Sequence, residues 1–151
     1  MTVPCGAAML LYRSSMTLPS GVVIPNDLLI GRRKGSHGEG EYSVPGGRVE
    51  PNEDPLHTAY RETLEETGIS VVPQYFRPVP FVNALAGNQH WVTLFFIAEV
   101  PEGIHPKLME PDKCEGWSWW RFNVLPGPLF GPLAEMVKRL DDYVGVETNY
   151  L

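Results

Sequence analysis

The chain has 151 residues, of which 43% are hydrophobic and 20% charged, with a formal net charge of -6. This is enough chain for one domain, over 1–151, with a sizeable core; the acidic balance argues against long nucleic acid as a partner, since no broad basic surface would neutralise its phosphates. The longest apolar run, 92–100, is too short to span a bilayer, and no basic segment precedes an apolar one at the N-terminus, so a soluble, cytoplasmic protein without a membrane partner is expected.

In chain order, residues 2–12 are apolar enough for a buried strand, and 19–25 suggest a turn-rich link into an apolar strand at 28–31. The basic run Arg32-Arg33-Lys34 follows and leads into a 35–38 loop. Two readings stand open there: a solvated basic loop, or a place where Arg33 holds substrate phosphates. Tyr42 and Val44 then suggest a strand entering the tight turn Pro45-Gly46-Gly47, where glycine lets backbone approach a ligand.

A helix is predicted over 55–67, with Asp54 as N-cap, Pro55 at the first helical position and Gly68 as the stop. At about 100° per residue, Leu56, Ala59, Tyr60, Thr63, Leu64 and Thr67 gather on one side, and Glu62, Glu65 and Glu66 nearly opposite. Such a face is either merely solvated or ligates a cation. The i,i+4 pair Glu62 and Glu66, with Glu65 beside it, costs a few tenths of a kcal/mol in a bare helix, and a divalent cation would remove that cost. Carboxylate oxygens suit Mg²⁺ or Mn²⁺, an exposed Gly46 carbonyl could complete an oxygen-rich site, and no nearby cluster of His or Cys argues for zinc.

Downstream, 71–77 and 79–84 are predicted to be extended, 90–100 is the strongest strand, 117–122 is another, and 129–143 carries Leu133, Met136, Val137 and Leu140 at helical spacing. In the 117–122 strand, alternation puts Trp117 and Trp119 on one face and Trp120 on the other. Cys5 and Cys114 are expected to be reduced, and His37, His57, His90 and His105 are scattered without a spaced metal-type partner.

Gly47, Glu53 after five residues, and Arg61-Glu62-Thr63-Leu64-Glu65-Glu66-Thr67-Gly68-Ile69 after seven more resemble the Nudix box of the Nudix hydrolase family. Thr63 departs from the pattern, which usually has an aliphatic residue there. The resemblance implies an α/β fold with a mixed β-sheet sandwiched between helices, and a Mg²⁺-dependent hydrolase, Mn²⁺ substituting, that acts on a nucleoside diphosphate linked to another group. It implies Glu62 and Glu66 as metal ligands, Glu65 as ligand or base, Gly46 as a carbonyl ligand, and a Glu53 and Arg61 pair that holds the loop on the helix. It also favours Arg33 for the phosphates, places Ser43, Val44 and Thr93 around the base, and puts Gly46 and Gly47 among the substrate-binding residues.

The segment 109–119 resembles a MutT-like subgroup that clears nucleotide pools, which makes Trp119 the candidate for stacking on the base and Glu115 for a further metal ligand, with Glu110 and Asp112 as alternatives. A small-molecule nucleotide is the expected substrate: 8-oxo-dGTP or another non-standard deoxynucleoside triphosphate first, dCTP next, cleaved to monophosphate and pyrophosphate. Alternatives are ADP-ribose, dinucleoside polyphosphates or isoprenyl diphosphates, and, outside catalysis, a nucleotide-sensing module, which would be expected to carry a broken box. A homodimer is expected by analogy with small Nudix proteins.

Overall fold

The computed structural model describes residues 2–35 and 37–149; Ser36, in the 35–38 loop, lies outside them. Eight strands appear among the described residues: β1 (Cys5–Thr17), β2 (Val23–Arg33), β3 (Tyr42–Ser43), β4 (Gly46–Arg48), β5 (Gln74–Tyr75), β6 (Phe81–Ala86), β7 (Gln89–Glu99) and β8 (Cys114–Arg121). Two helices, α1 (Pro55–Thr67) and α2 (Gly131–Thr148), and a 3-10 turn at Phe122–Val124 accompany them.

The strands form one sheet whose main path is β3-β2-β1-β7-β5, with β4 paired to β1, β6 to β7 and β8 to β2. β1 and β7 run parallel, in register from Cys5 opposite Val92 to Tyr12 opposite Glu99, and the other pairs are antiparallel. A parallel pair needs a long crossover, and the chain between β1 and β7 carries α1.

The poor alternation of the first strand has a direct cause, because β1 is buried on both faces. Ala8 and Leu10 enter a core with Leu28, Ile30, Phe95 and Met136 on the α2 side. Ala7, Met9 and Leu11 enter another with Leu29, Ala59 and Phe96 on the α1 side. A strand covered on both faces is apolar throughout. The result is the expected mixed sheet between helices.

Several boundaries differ from the sequence reading, β8 among them, which begins at Cys114 and not at 117. β1 continues to Thr17 and returns as β2 from Val23, so most of the 19–25 link belongs to a long hairpin, in which Pro25 lies opposite Ser15 beside a register shift. Of the 71–77 segment only Gln74 and Tyr75 are strand, with the Phe76 amide donated to the Phe95 carbonyl at 3.0 Å beside them. α2 runs on to Thr148, beyond the predicted end. No described helix is long and apolar enough to cross a membrane.

Candidate active site

α1 has the predicted bounds and caps. The Leu56 amide donates to Asp54 at 2.9 Å, Pro55 sits in the first turn, and Gly68 ends the helix at φ 73° with its amide donated to the Leu64 carbonyl. Its buried stripe is rotated from the predicted one: Thr58, Ala59, Thr63 and Thr67 are buried, whereas Leu64 is 39% exposed. Burying threonines is tolerated because two hydroxyls find acceptors, Thr58 at Glu53 Oε1 (2.6 Å) and Thr67 at the Thr63 carbonyl (2.7 Å). The Thr63 hydroxyl is buried with no partner among the described residues.

Arg61 organises the acidic side. Its Nε and Nη2 donate to the two oxygens of Glu53 at 2.7 and 2.9 Å, a bidentate pair that ties the loop after β4 to the helix. Its Nη1 reaches Glu62 at 3.0 Å and Glu65 at 3.3 Å. The bonds from Arg61, with help from Thr58, hold the Glu53 carboxyl well below the usual carboxylate range.

Glu66 turns the other way, accepting the Gly46 amide at 2.8 Å, and the Trp117 indole N–H donates to its backbone carbonyl at 3.0 Å. Burial pushes the Glu66 carboxyl up to about 8, reinforced by the nearby charges of Glu62 and Glu110 and opposed by the Gly46 bond and Arg33. Burial also raises Glu62, against the pull of Arg61. Two crowded carboxylates with few compensating donors are a set that a small divalent cation would stabilise, and all-oxygen donors suit Mg²⁺ or Mn²⁺. Among the described residues no three His, Cys, Asp or Glu already converge as a cage, since Arg61 draws Glu62 and Glu65 toward itself.

The glycines of the turn are sterically required. A Cβ on Gly47 would collide with the Glu62 carboxylate, and one on Gly46 would stand 2.7 Å from the Ala7 carbonyl oxygen. β4 thus lies pressed between β1 and the acidic helix.

On the α2 side of the sheet lies a cavity of about 280 Å³. Arg33, Ser43, Val44, Gly46, Gly47 and Thr93 all line it, so six of the seven predicted substrate-binding residues are brought together. Arg33 crosses the Phe130 ring, its guanidinium carbon 4.0 Å from the centroid, and burial lowers its pKa against the pull of Glu66.

Trp119 is the exception and its expected place is corrected. It packs with Trp117 on the core beneath α1, with Arg13 over its ring at 4.8 Å, on the face of the sheet away from the cavity. The aromatic walls are instead Trp91, Phe95 and Phe130, joined by His37, whose ring centroid is 6.5 Å from that of Trp91 and 6.2 Å from that of Phe130. Trp91 could have been found from spacing, because it stands two residues before Thr93 on a strand and so shares its face. His37 carried no such signal, since a loop brings it in.

Glu115 is likewise revised. Cys114 is buried against Gly31, and alternation sends Glu115 outward, where it is exposed and paired with Arg32 at 3.2 Å. Glu110, one of the two alternatives, is the carboxylate of that segment whose charge reaches Glu62 and Glu66, and it is steadied by Lys113 at 3.4 Å.

The NUDIX domain profile matches residues 19–140. The chain belongs to the NUDIX domain family. The RNA pyrophosphohydrolase of Bartonella bacilliformis is 30% identical to this NUDIX chain over 132 residues, covering 70% of it and 78% of that relative. A Mycobacterium tuberculosis protein provisionally named 8-oxo-dGTP diphosphatase 3 is 34% identical over 99 residues, 64% of this chain but 44% of that protein, so the match spans less than half of the relative's length. In fold, the MutT NUDIX hydrolase of Burkholderia pseudomallei superposes with a TM-score of 0.75 at 24% identity, over 92% of this chain and 98% of that one.

Proposed function

We propose that this chain is a Mg²⁺-dependent nucleoside triphosphate diphosphatase that releases a monophosphate and pyrophosphate, with a single catalytic domain over 1–151. One observation carries the reading: Gly46 and Gly47 line the cavity while the Gly46 amide donates to Glu66, and Glu62 abuts Gly47, which supports a substrate whose base lies in the cavity and whose phosphates reach the carboxylates.

Glu62 and Glu66, with Glu65, would hold the magnesium ion, which when bound neutralises phosphate charge and lowers the pKa of its water. The chain's own residues supply orientation. Arg33 would hold the phosphate chain, and Arg61 with Glu53 keeps the loop and the helix in register. A water oxygen bonds to phosphorus, the anhydride bond to the leaving pyrophosphate breaks, and the water's proton passes to one of the helix carboxylates.

The named activities of the relatives support a nucleotide substrate. The name of the mycobacterial relative supports 8-oxo-dGTP as the leading substrate; another non-standard deoxynucleoside triphosphate, dCTP next, and a role in clearing the nucleotide pool in the cytoplasm are further parts of the proposal. The test is a panel of nucleoside triphosphates, ADP-ribose, dinucleoside polyphosphates and isoprenyl diphosphates with Mg²⁺ and product identification. Monophosphate and pyrophosphate from a triphosphate are expected. Turnover of none of the panel would remove the reading.

A further inference from the structure

The last turn of α1 does not cap itself. Gly68 leaves the helix at φ 73°, which turns away the amides that would otherwise bind the Glu66 and Thr67 carbonyls. Both carbonyls are satisfied from one distant stretch of chain: the Lys107 amide donates to Thr67 at 2.8 Å, and the Trp117 indole N–H to Glu66 at 3.0 Å. An indole N–H takes whatever acceptor is near, as that of Trp120 does at Ser118 in its own strand, 2.9 Å away. Trp117 instead reaches 51 residues back along the chain, to the residue whose carboxylate accepts the Gly46 amide.

Two features of β2 and β8 build that reach. One residue separates Gly31 from Arg33 on β2, but two, Glu115 and Gly116, separate their partners Trp117 and Cys114. The extra residue is a β-bulge, with Gly116 at φ 150° and its amide donating to the Cys114 sulfur at 3.4 Å. It brings Cys114 and Trp117, three positions apart, to one face, where a Cβ on Gly31 would stand 2.7 Å from the sulfur and 2.8 Å from the indole ring. Glycine at 31 leaves room for the ring. A bulge beside a site re-aims a side chain, and this one aims the indole N–H at the end of the acidic helix.

We propose that Trp117 is a positioning residue for the metal site: by holding the Glu66 carbonyl it fixes the last turn of α1, and with it the place of the Glu66 carboxylate. The inference rests on the metal-site reading above and gives a role to a residue outside the carboxylate set. The backbone of Glu66 is held from β8 and its side chain from β4, so loosening either end lets the carboxylate drift. The stretch that supplies both caps also carries Glu110, whose charge reaches Glu62 and Glu66. The same bond therefore keeps the two sides of the acidic cluster at a set separation.

The test is Mn²⁺ binding by electron paramagnetic resonance, without nucleotide, for the parent, Trp117→Phe, Trp119→Phe and a protein with benzothienylalanine at position 117. Phenylalanine keeps a ring and loses the N–H. Benzothienylalanine keeps the indole outline with sulfur in place of the N–H, and so answers if Trp117→Phe does not fold. Trp119 is the control, because it packs on the same core and the same face of β8. Mn²⁺ affinity should fall about tenfold in both variants at 117 and stay within about twofold of the parent in Trp119→Phe. In turnover, the Mg²⁺ concentration for half-maximal rate should rise by a similar factor, while KM for the nucleotide at saturating Mg²⁺ holds. Parent-like Mn²⁺ affinity in a folded variant at 117, or an equal loss in Trp119→Phe, would overturn the proposal and leave the hydrolase reading standing. A parent that bound no Mn²⁺ would sink the metal reading itself, and this inference with it.

Discussion

On the α1 face of the sheet Arg61 grips Glu53, Glu62 and Glu65 at 2.7 to 3.3 Å, whereas on the α2 face the Ser43 and Thr93 hydroxyls make no bond to another described residue and line the cavity. The two regions meet at β4. A group that must act on any phosphate chain gains from being locked in place before substrate arrives, while a surface that tells one base from another gains from polar atoms left to be satisfied by the right one. Glu66 belongs to the first region by sequence but is the least compensated of its carboxylates, with its pKa pushed up to about 8 by burial.

The sharpest way to break this division is Glu66→Gln. The variant should lose roughly 10³-fold or more in kcat, yet melt no lower than the parent in chelator, because a neutral amide replaces a carboxylate that burial already disfavours and can still accept the Gly46 amide. Magnesium should raise the melting temperature of the parent, by an amount equivalent to about 2.7 kcal/mol at a hundredfold excess over its dissociation constant, and should do little for the variant. Turnover within tenfold of the parent would remove Glu66 from the machinery.

Next in size is Arg61→Ala, which releases three carboxylates at once. Activity should fall about 10- to 100-fold, and the melting temperature should drop at neutral pH. The pH dependence has a definite sign. Glu53 is held below its ordinary value in the folded protein, so its contribution is present above about pH 4.3 and fades as pH falls. The gap in melting temperature between parent and variant should therefore narrow in acid; a gap that stayed constant down to low pH would mean that Arg61 acts through packing alone.

A paired exchange of tryptophans tests the two faces directly. Trp91→Leu should raise KM for a nucleotide by about tenfold, the scale of one stacked base, whereas Trp119→Leu, on the α1 side, should leave KM nearly unchanged and change only stability. The reverse result would return the base to the Trp119 face. The smallest effect is expected at Thr63, whose buried hydroxyl has no partner. Thr63→Val should stabilise the protein by about 1 kcal/mol, read by denaturant melting, without altering kinetics.

α1 was legible to the residue, because Asp54, Pro55 and Gly68 act on their own neighbours and require nothing from the rest of the chain. Which side of it would be buried was less so. Counting apolar residues favoured Leu64, but threonines can enter a core when local acceptors exist, and Glu53 and the Thr63 carbonyl supply them. The Glu53 and Arg61 pair, implied by family resemblance, appears in the structure, while Trp119 and Glu115 went astray because both lie on a strand whose faces could not be told apart in advance.

Sequence by itself determined the acidic helix, its caps, the glycine turn and the alternation of the tryptophans in β8, since these depend on spacings of a few residues. Tertiary structure alone decided which face of β7 and β8 meets a cavity, and that a loop histidine and the first turn of α2 would close around Thr93. Strands register by contacts between distant segments, and no local spacing records which distant segment comes to cover them.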